Sequence, residues 1–240
     1  MTTEVPEPLA APTLRATATP LPTTLVMTLV PAAAALDIVG GYLNGLLGLP
    51  TFMDMIGTCV AAIVLGPWWG ALTGVLANVG GAAIYGPTNI PFALANVAGA
   101  LVWGYGVRTF GMGRNGGTYF LLNVLVGLVV AMVAAPIVLF LFGGSTGHPS
   151  DLVTAALVGA GQAIVAAVFA SNVLVAVADK VIAGFVGLAI IHALPARYTA
   201  GLRLPGDVQG RTLLVATAGT VAGIAIVLAY LLFAPPPPVA

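Results

Sequence analysis

Lys180 is the only lysine in the chain, and it directly follows Asp179 inside a long apolar run. An ionisable side chain at membrane depth is costly, so it points either to ligand or partner contact or to a buried ion pair that fixes helix packing. Successive helical positions diverge by about 100°, so Asp179 and Lys180 are expected not to pair face to face. One would line a cavity while the other meets a neighbouring helix. Asp54 opens the second apolar segment. A carboxylate there can cap the helix by accepting backbone N–H groups, and a helix start aimed into a cavity would also bind a ligand. Asp37 lies inside the first apolar run, past Pro31. It can bond backbone freed at the proline or pair with Lys180.

A second set is amide-bearing: Asn44, Asn78, Asn89, Asn96, Asn123 and Asn172, with Gln162. Amides bond both edges of a neutral heterocycle without the cost of burying charge. Between membrane helices they also serve as interhelical hydrogen-bonding glue. Tyr85 offers a ring for stacking on a flat ligand. Trp68, Trp69 and Trp103 read as anchors at a membrane interface. Ser145, His148 and Asp151 are the residue types of a nucleophilic triad, but the run GGSTGHPSD around them reads better as an ordinary polar loop.

Composition decides what must position these groups. Of 240 residues, 60% are hydrophobic and 6% are charged, where a soluble domain carries about 25% charged residues. Mean hydropathy is +1.10. So apolar a chain belongs in a lipid bilayer. Seven basic residues balance seven acidic ones, which excludes a basic nucleic-acid surface. Cys59 stands alone and His148 and His192 lie far apart, so no disulfide or metal-ligand spacing arises. No HExxH is present. The expectation is a non-enzymatic protein without cofactor or metal, with no motor of its own.

Residues 1–22 contain Glu4, Glu7 and several prolines without a basic start, and read as a disordered cytoplasmic tail rather than a signal peptide. Apolar segments follow at 24–46, 54–86, 90–107, 116–142, 151–194 and 212–233. Gly66-Pro67 splits the second into two short helices. Arginines outside the spans fall at Arg15, at Arg108 and Arg114, and at Arg197, Arg203 and Arg211. If each cluster is cytoplasmic, an even number of crossings separates each pair. That assigns two crossings to 54–86 and one net crossing to 151–194. Residues 152–171 are then a tilted or re-entrant outer segment, in which Gly159 and Gly161 tolerate irregular packing, and the span begins at Asn172. Gly41 and Gly45 form a GxxxG pair, and Thr24, Thr28 and Ala32 a small-residue stripe.

The run from Leu49 to Asn78, LPTFMDMIGTCVAAIVLGPWWGALTGVLAN, resembles the substrate-binding S components of energy-coupling factor (ECF) transporters. The features that carry the resemblance are Leu49-Pro50, Asp54, Gly57-Thr58, Gly66-Pro67, Gly70, Gly74 and Asn78. Pro91-Phe92, Asn96, Gly99, Ala178-Asp179-Lys180 and Leu194-Pro195 continue it, so that it covers roughly residues 24–197.

Such membership implies an all-α integral membrane protein, a six-helix S-component-like bundle, in a multi-pass arrangement in the cell membrane. It implies capture of a vitamin or related heterocyclic micronutrient from outside. Delivery would use a shared transmembrane scaffold subunit and two cytoplasmic ATPases. The gate maps to the 47–54 loop, with Leu49, Pro50 and Phe52. The substrate site maps to Asp54, Tyr85, Asn89, Asn96, Gln162, Asn172 and Lys180. Scaffold docking maps to Thr24, Thr28 and Ala32, which depart from the family's usual alanine pair. The expected plan is a membrane domain at 23–197, a cytoplasmic loop at 198–211, a seventh transmembrane helix at 212–234 outside the usual core, and a proline-rich tail at 235–240. The alternatives are a stand-alone facilitator or channel, and a structural membrane protein.

Overall fold

The computed structural model describes residues 22–206. The tail expected before residue 22, the seventh helix at 212–234 and the proline-rich end lie outside them, as do Arg15 and Arg211. Within them the chain is helical and no strand forms. In chain order the helices are α1 (Thr23–Leu46), α2 (Ile56–Val64), α3 (Pro67–Tyr85), α4 (Ala93–Arg108), α5 (Gly116–Phe142), α6 (Asp151–Gly159), α7 (Ile164–Ala193) and α8 (Ala196–Thr199), with a 3-10 turn at Pro87–Phe92 leading into α4. Among the described residues, four helical stretches are long and apolar enough to cross a membrane: Thr23–Leu46, Pro87–Arg108, Gly116–Phe142 and Ile164–Ala193. α1 runs unbroken through Pro31.

The apolar stretch 54–86 divides at Gly66-Pro67 as the dipeptide demands. Gly66 takes a φ of +118°, open to glycine, and Pro67 starts α3 without needing a donor. The two halves are unequal. α3 has 19 residues, whereas α2 has nine and rises only about 13–14 Å, short of a bilayer core. All nine α2 residues are buried, packed among α1, α3, α4 and α7.

A helix buried at both ends needs partners for its orphan backbone groups. Asp37 of α1 supplies them at the start: its Oδ1 accepts from the Gly57 N–H at 2.6 Å, and its Oδ2 from the Thr58 N–H at 2.9 Å and the Thr58 hydroxyl at 2.7 Å. Arg108 of α4 supplies them at the end, donating to the carbonyls of Ile63 at 3.0 Å and Val64 at 2.5 Å. The sequence offered Asp37 two other roles and Asp54 the capping role. The structure gives the cap to Asp37, because α1 carries its carboxylate to the buried helix start while Asp54 precedes that start on the loop.

Residues 152–171 also differ from the sequence reading. They divide into most of α6, a break at 160–163, and the first turns of α7, which begins at Ile164 and continues without interruption past Asn172. Trp103 departs from its expected interfacial place. It is 0% exposed, and its indole N–H donates to Asn123 Oδ1 at 2.8 Å, linking α4 to α5. Trp68 and Trp69 are exposed.

Candidate functional site

The 47–55 loop is tied down from two sides. Asn44, fully buried near the end of α1, donates through Nδ2 to the carbonyls of Leu49 at 3.0 Å and Thr51 at 2.5 Å. The Thr51 hydroxyl returns a bond to Asn44 Oδ1 at 2.6 Å. From the opposite side, Asp179 Oδ1 accepts the Phe52 N–H at 3.0 Å and the Met53 N–H at 2.8 Å. Met53 holds a left-handed φ of +53°, which costs a residue with a Cβ about 1–2 kcal/mol. Its carbonyl lies directly on α1, where a Cβ at Gly40 would meet it.

Asp179 has a second task. Its Oδ2 accepts from Lys180 Nζ, which also reaches Asp54 Oδ1 at 3.4 Å. The helical spacing argument against an Asp179–Lys180 pair therefore fails. The backbone does point the two residues apart, but the lysine stem is long enough to bring its head back to the preceding carboxylate. Lys180 is 1% exposed, while the Asp54 side chain is 31% exposed. The ammonium lies 5.6 Å from the centre of the Phe52 ring, which packs against the His148 ring at 5.0 Å with a tilt of 33°.

These groups border a cavity of about 290 Å³. α1 contributes Ile38 and Gly41 to its wall, the loop Phe52 and Asp54, and α3 Asn78 and Tyr85. The 3-10 turn adds Asn89 and Phe92, α4 adds Asn96, and α5 adds the apolar Val130, Ala134 and Val138. His148 and Ser150 come from the 143–150 loop, Thr154 from α6, and Ser171, Asn172 and Lys180 from α7. Of the residues mapped as a substrate site, Asp54, Tyr85, Asn89, Asn96, Asn172 and Lys180 thus meet on one wall system. Gln162 does not; it is exposed in the break between α6 and α7. Among the gate residues Phe52 faces the cavity, whereas Leu49 and Pro50 are not on its wall. Thr24, Thr28 and Ala32 are all exposed on α1, away from the cavity.

Several lining groups were not singled out from sequence as site residues. Asn78 stands in the sequence as one of many amides and within the run that resembles the S components, without a site role. His148 was set aside with its loop. Thr154 and Ser171, which bond each other at 2.6 Å, gave no signal. The contact of His148 with Phe52 links two segments nearly a hundred residues apart, which no local spacing reveals.

Tyr85 gives its hydroxyl to the Ile38 carbonyl, so it presents a ring face rather than a donor. The 143–150 loop closes around Asp151, whose Oδ2 accepts from the Ser145 hydroxyl at 2.7 Å and from the N–H groups of Thr146 and Gly147 at 2.8 Å each. Ser145 is therefore bound to Asp151 and not to His148. His148 Nδ1 accepts the Ser150 N–H at 3.1 Å, which places any ring proton on Nε2. Ser145 and Asp151 brace the loop without a bond to His148, whose Nδ1 lies 3.0 Å from the Ser150 hydroxyl instead.

No protein-family model matches the chain, and neither does a curated protein or a solved structure.

Proposed function

We propose that this chain is the substrate-capturing membrane subunit of an importer of the energy-coupling factor type, taking up a small heterocyclic micronutrient. The observation that carries the reading is the cavity of about 290 Å³, polar on several sides, inside a mostly apolar bundle. Its size lies at the lower end of the roughly 300–1,000 Å³ typical of small-molecule sites. A short loop covers it, held by Asn44 and by Asp179.

In this reading residues 23–197 form a six-crossing core in the plasma membrane, with the N-terminus cytoplasmic. α2, too short to span by itself, completes the second crossing together with the 47–55 loop that enters from the outer side, α3 supplies the third, and the 143–150 loop faces outward. Release of the Asp179 bonds would free the 47–55 loop and open the cavity. The exposed Thr24, Thr28 and Ala32 of α1 are the docking stripe for a scaffold subunit, and ATP hydrolysis belongs to two partner ATPases.

The test is co-expression of the tagged chain with an ECF scaffold subunit and its ATPases. The reading expects a stable complex in mild detergent and ATP-dependent uptake in proteoliposomes. Failure to associate would overturn it. Solute flux through the isolated chain in liposomes, without ATPases, would favour a stand-alone facilitator instead.

A further inference from the structure

The hydrogen-bonding inventory of the cavity is lopsided. Asn78 Nδ2 donates to the Gly74 carbonyl at 2.9 Å, Asn89 Nδ2 to the Asn78 carbonyl at 3.1 Å, and Asn172 Nδ2 to the Val168 carbonyl at 2.9 Å. Asn96 Nδ2 reaches the Asp54 carbonyl at 3.5 Å. A backbone carbonyl can only accept, so each contact identifies the nitrogen end of its amide and fixes which way the group is turned. In every case the amide spends one of its two N–H donors on the protein, while its oxygen meets no donor among the described residues. Asn78 is the sharpest case. It is 2% exposed, and its Oδ1 has no hydrogen-bond partner. A buried carbonyl left in that state is costly unless a ligand donor meets it.

Charge is lopsided in the same sense. Lys180 is the cavity's one ammonium, and Asp179 already neutralises it. Asp54 is therefore a carboxylate in excess, with a single partner at 3.4 Å and a partly exposed side chain. Asp151 adds a further carboxylate to the wall. The Arg108 guanidinium is committed to the end of α2. Flat faces for a charged ring come from Phe52, Tyr85 and Phe92, and aromatic faces attract cations.

Resting on the reading of this cavity as the capture site, we infer that its ligand is a compact, flat cation that presents several N–H donors, of the amidinium or protonated amino-heterocycle class, with Asp54 as its counter-ion and Asn78 Oδ1 as an acceptor. The same wall disfavours anions: a carboxylate or phosphate would meet the Asp54 carboxylate beside an ammonium already paired with Asp179.

A matched set of probes tests this on the full-length protein in detergent at neutral pH: benzamidine (cation, four N–H donors), benzamide (neutral) and benzoate (anion), each titrated while the thermal unfolding midpoint is followed. Benzamidine is expected to raise the midpoint in a saturable way, and benzamide and benzoate to leave it unmoved. Asp54→Asn is expected to weaken benzamidine about tenfold or more, the scale of losing a charge-assisted bond. Should that variant fold poorly after losing its contact with Lys180, Asn78→Leu carries the test. It removes an unpartnered buried oxygen, so its ligand-free midpoint is expected to equal or exceed that of the wild type while benzamidine binding falls. Equal or stronger stabilisation by benzoate or benzamide, indifference of benzamidine binding to both variants, or no response to any probe would each overturn the inference. Association with a scaffold and ATPases is read separately, so loss of the importer reading and loss of the cation reading give different results.

Discussion

Asp37 and Arg108 grip opposite ends of the same nine-residue helix. The carboxylate meets the N-terminal N–H groups of α2 and the guanidinium meets its C-terminal carbonyls, so each charge sits at the dipole end that favours it. Neither residue belongs to α2. The short helix is thus fixed along its axis by α1 and α4. That matters for the cavity, because α2 follows directly on the loop that carries Phe52 and Asp54.

Asp37→Ala should therefore be among the most destabilising single changes in the chain. It strands two buried N–H groups and a hydroxyl, at roughly 1–3 kcal/mol each before relaxation. Asp37→Asn keeps one acceptor oxygen and should cost clearly less. Unfolding of both variants by denaturing detergent, followed by circular dichroism, ranks them. Equal stability of Asp37→Ala and wild type would show that α2 does not depend on this cap.

Asp179 joins the loop to the lysine. Asp179→Ala removes the acceptor for the Phe52 and Met53 N–H groups and leaves the strained Met53 unsupported. It also leaves Lys180 with only the 3.4 Å contact to Asp54. Limited proteolysis should then cut within 47–55 several-fold faster than in wild type, while cleavage elsewhere is unchanged. Gly40→Ala should give the same pattern from the other side, since the added methyl displaces the Met53 carbonyl. Uniform acceleration at all sites would mean that the bundle as a whole, rather than the loop, had been loosened.

Sequence made the helical class legible, because apolar runs of this length leave few alternatives. It also made the Gly66-Pro67 reversal legible, since both residues act through their own backbone. The length of α2 was hidden: whether a buried apolar stretch spans or stops halfway depends on which distant side chains satisfy its ends, and Asp37 and Arg108 reach it from other helices. Most of the polar cavity lining could be guessed from the rarity of polar residues in such a chain. Gln162 shows the weakness of that logic, because a polar residue next to a glycine break is as content in a loop as in a site. The Asp179–Lys180 pair escapes a rule for Cβ directions because the lysine stem is flexible.

Trp103 and Asn123 form a buried polar link between α4 and α5 that is only half satisfied. Asn123 Oδ1 takes the indole N–H, while its Nδ2 has no partner. Replacing both at once, Trp103→Phe with Asn123→Leu, removes the link and the unpaired donor together, and should cost about 1 kcal/mol or less beyond the lost indole packing. Asn123→Leu alone strands the indole N–H and should cost more than its share. A double-mutant cycle measured by detergent unfolding would reveal this as non-additivity. Additive effects would mean that the bond contributes nothing net.

His148 should make the 143–150 loop sensitive to acid. Burial pushes its pKa below the usual value, and the nearby carboxylates of Asp54, Asp151 and Asp179 oppose that shift without reversing it. Its neutral form is also the one that can accept the Ser150 N–H. A group whose pKa is depressed by folding binds protons more readily when unfolded. Its contribution to stability is thus fully present above about pH 6.5 and is lost as the pH falls through the folded value. The thermal midpoint of the wild type should accordingly fall between pH 7 and pH 5 more steeply than that of His148→Phe, which keeps a ring against Phe52 but cannot titrate. The two proteins differ in no other ionisable group, so the difference between the two curves isolates the histidine. Parallel curves would show that the loop tolerates a charged imidazole, and that the Ser150 bond is not what holds it closed.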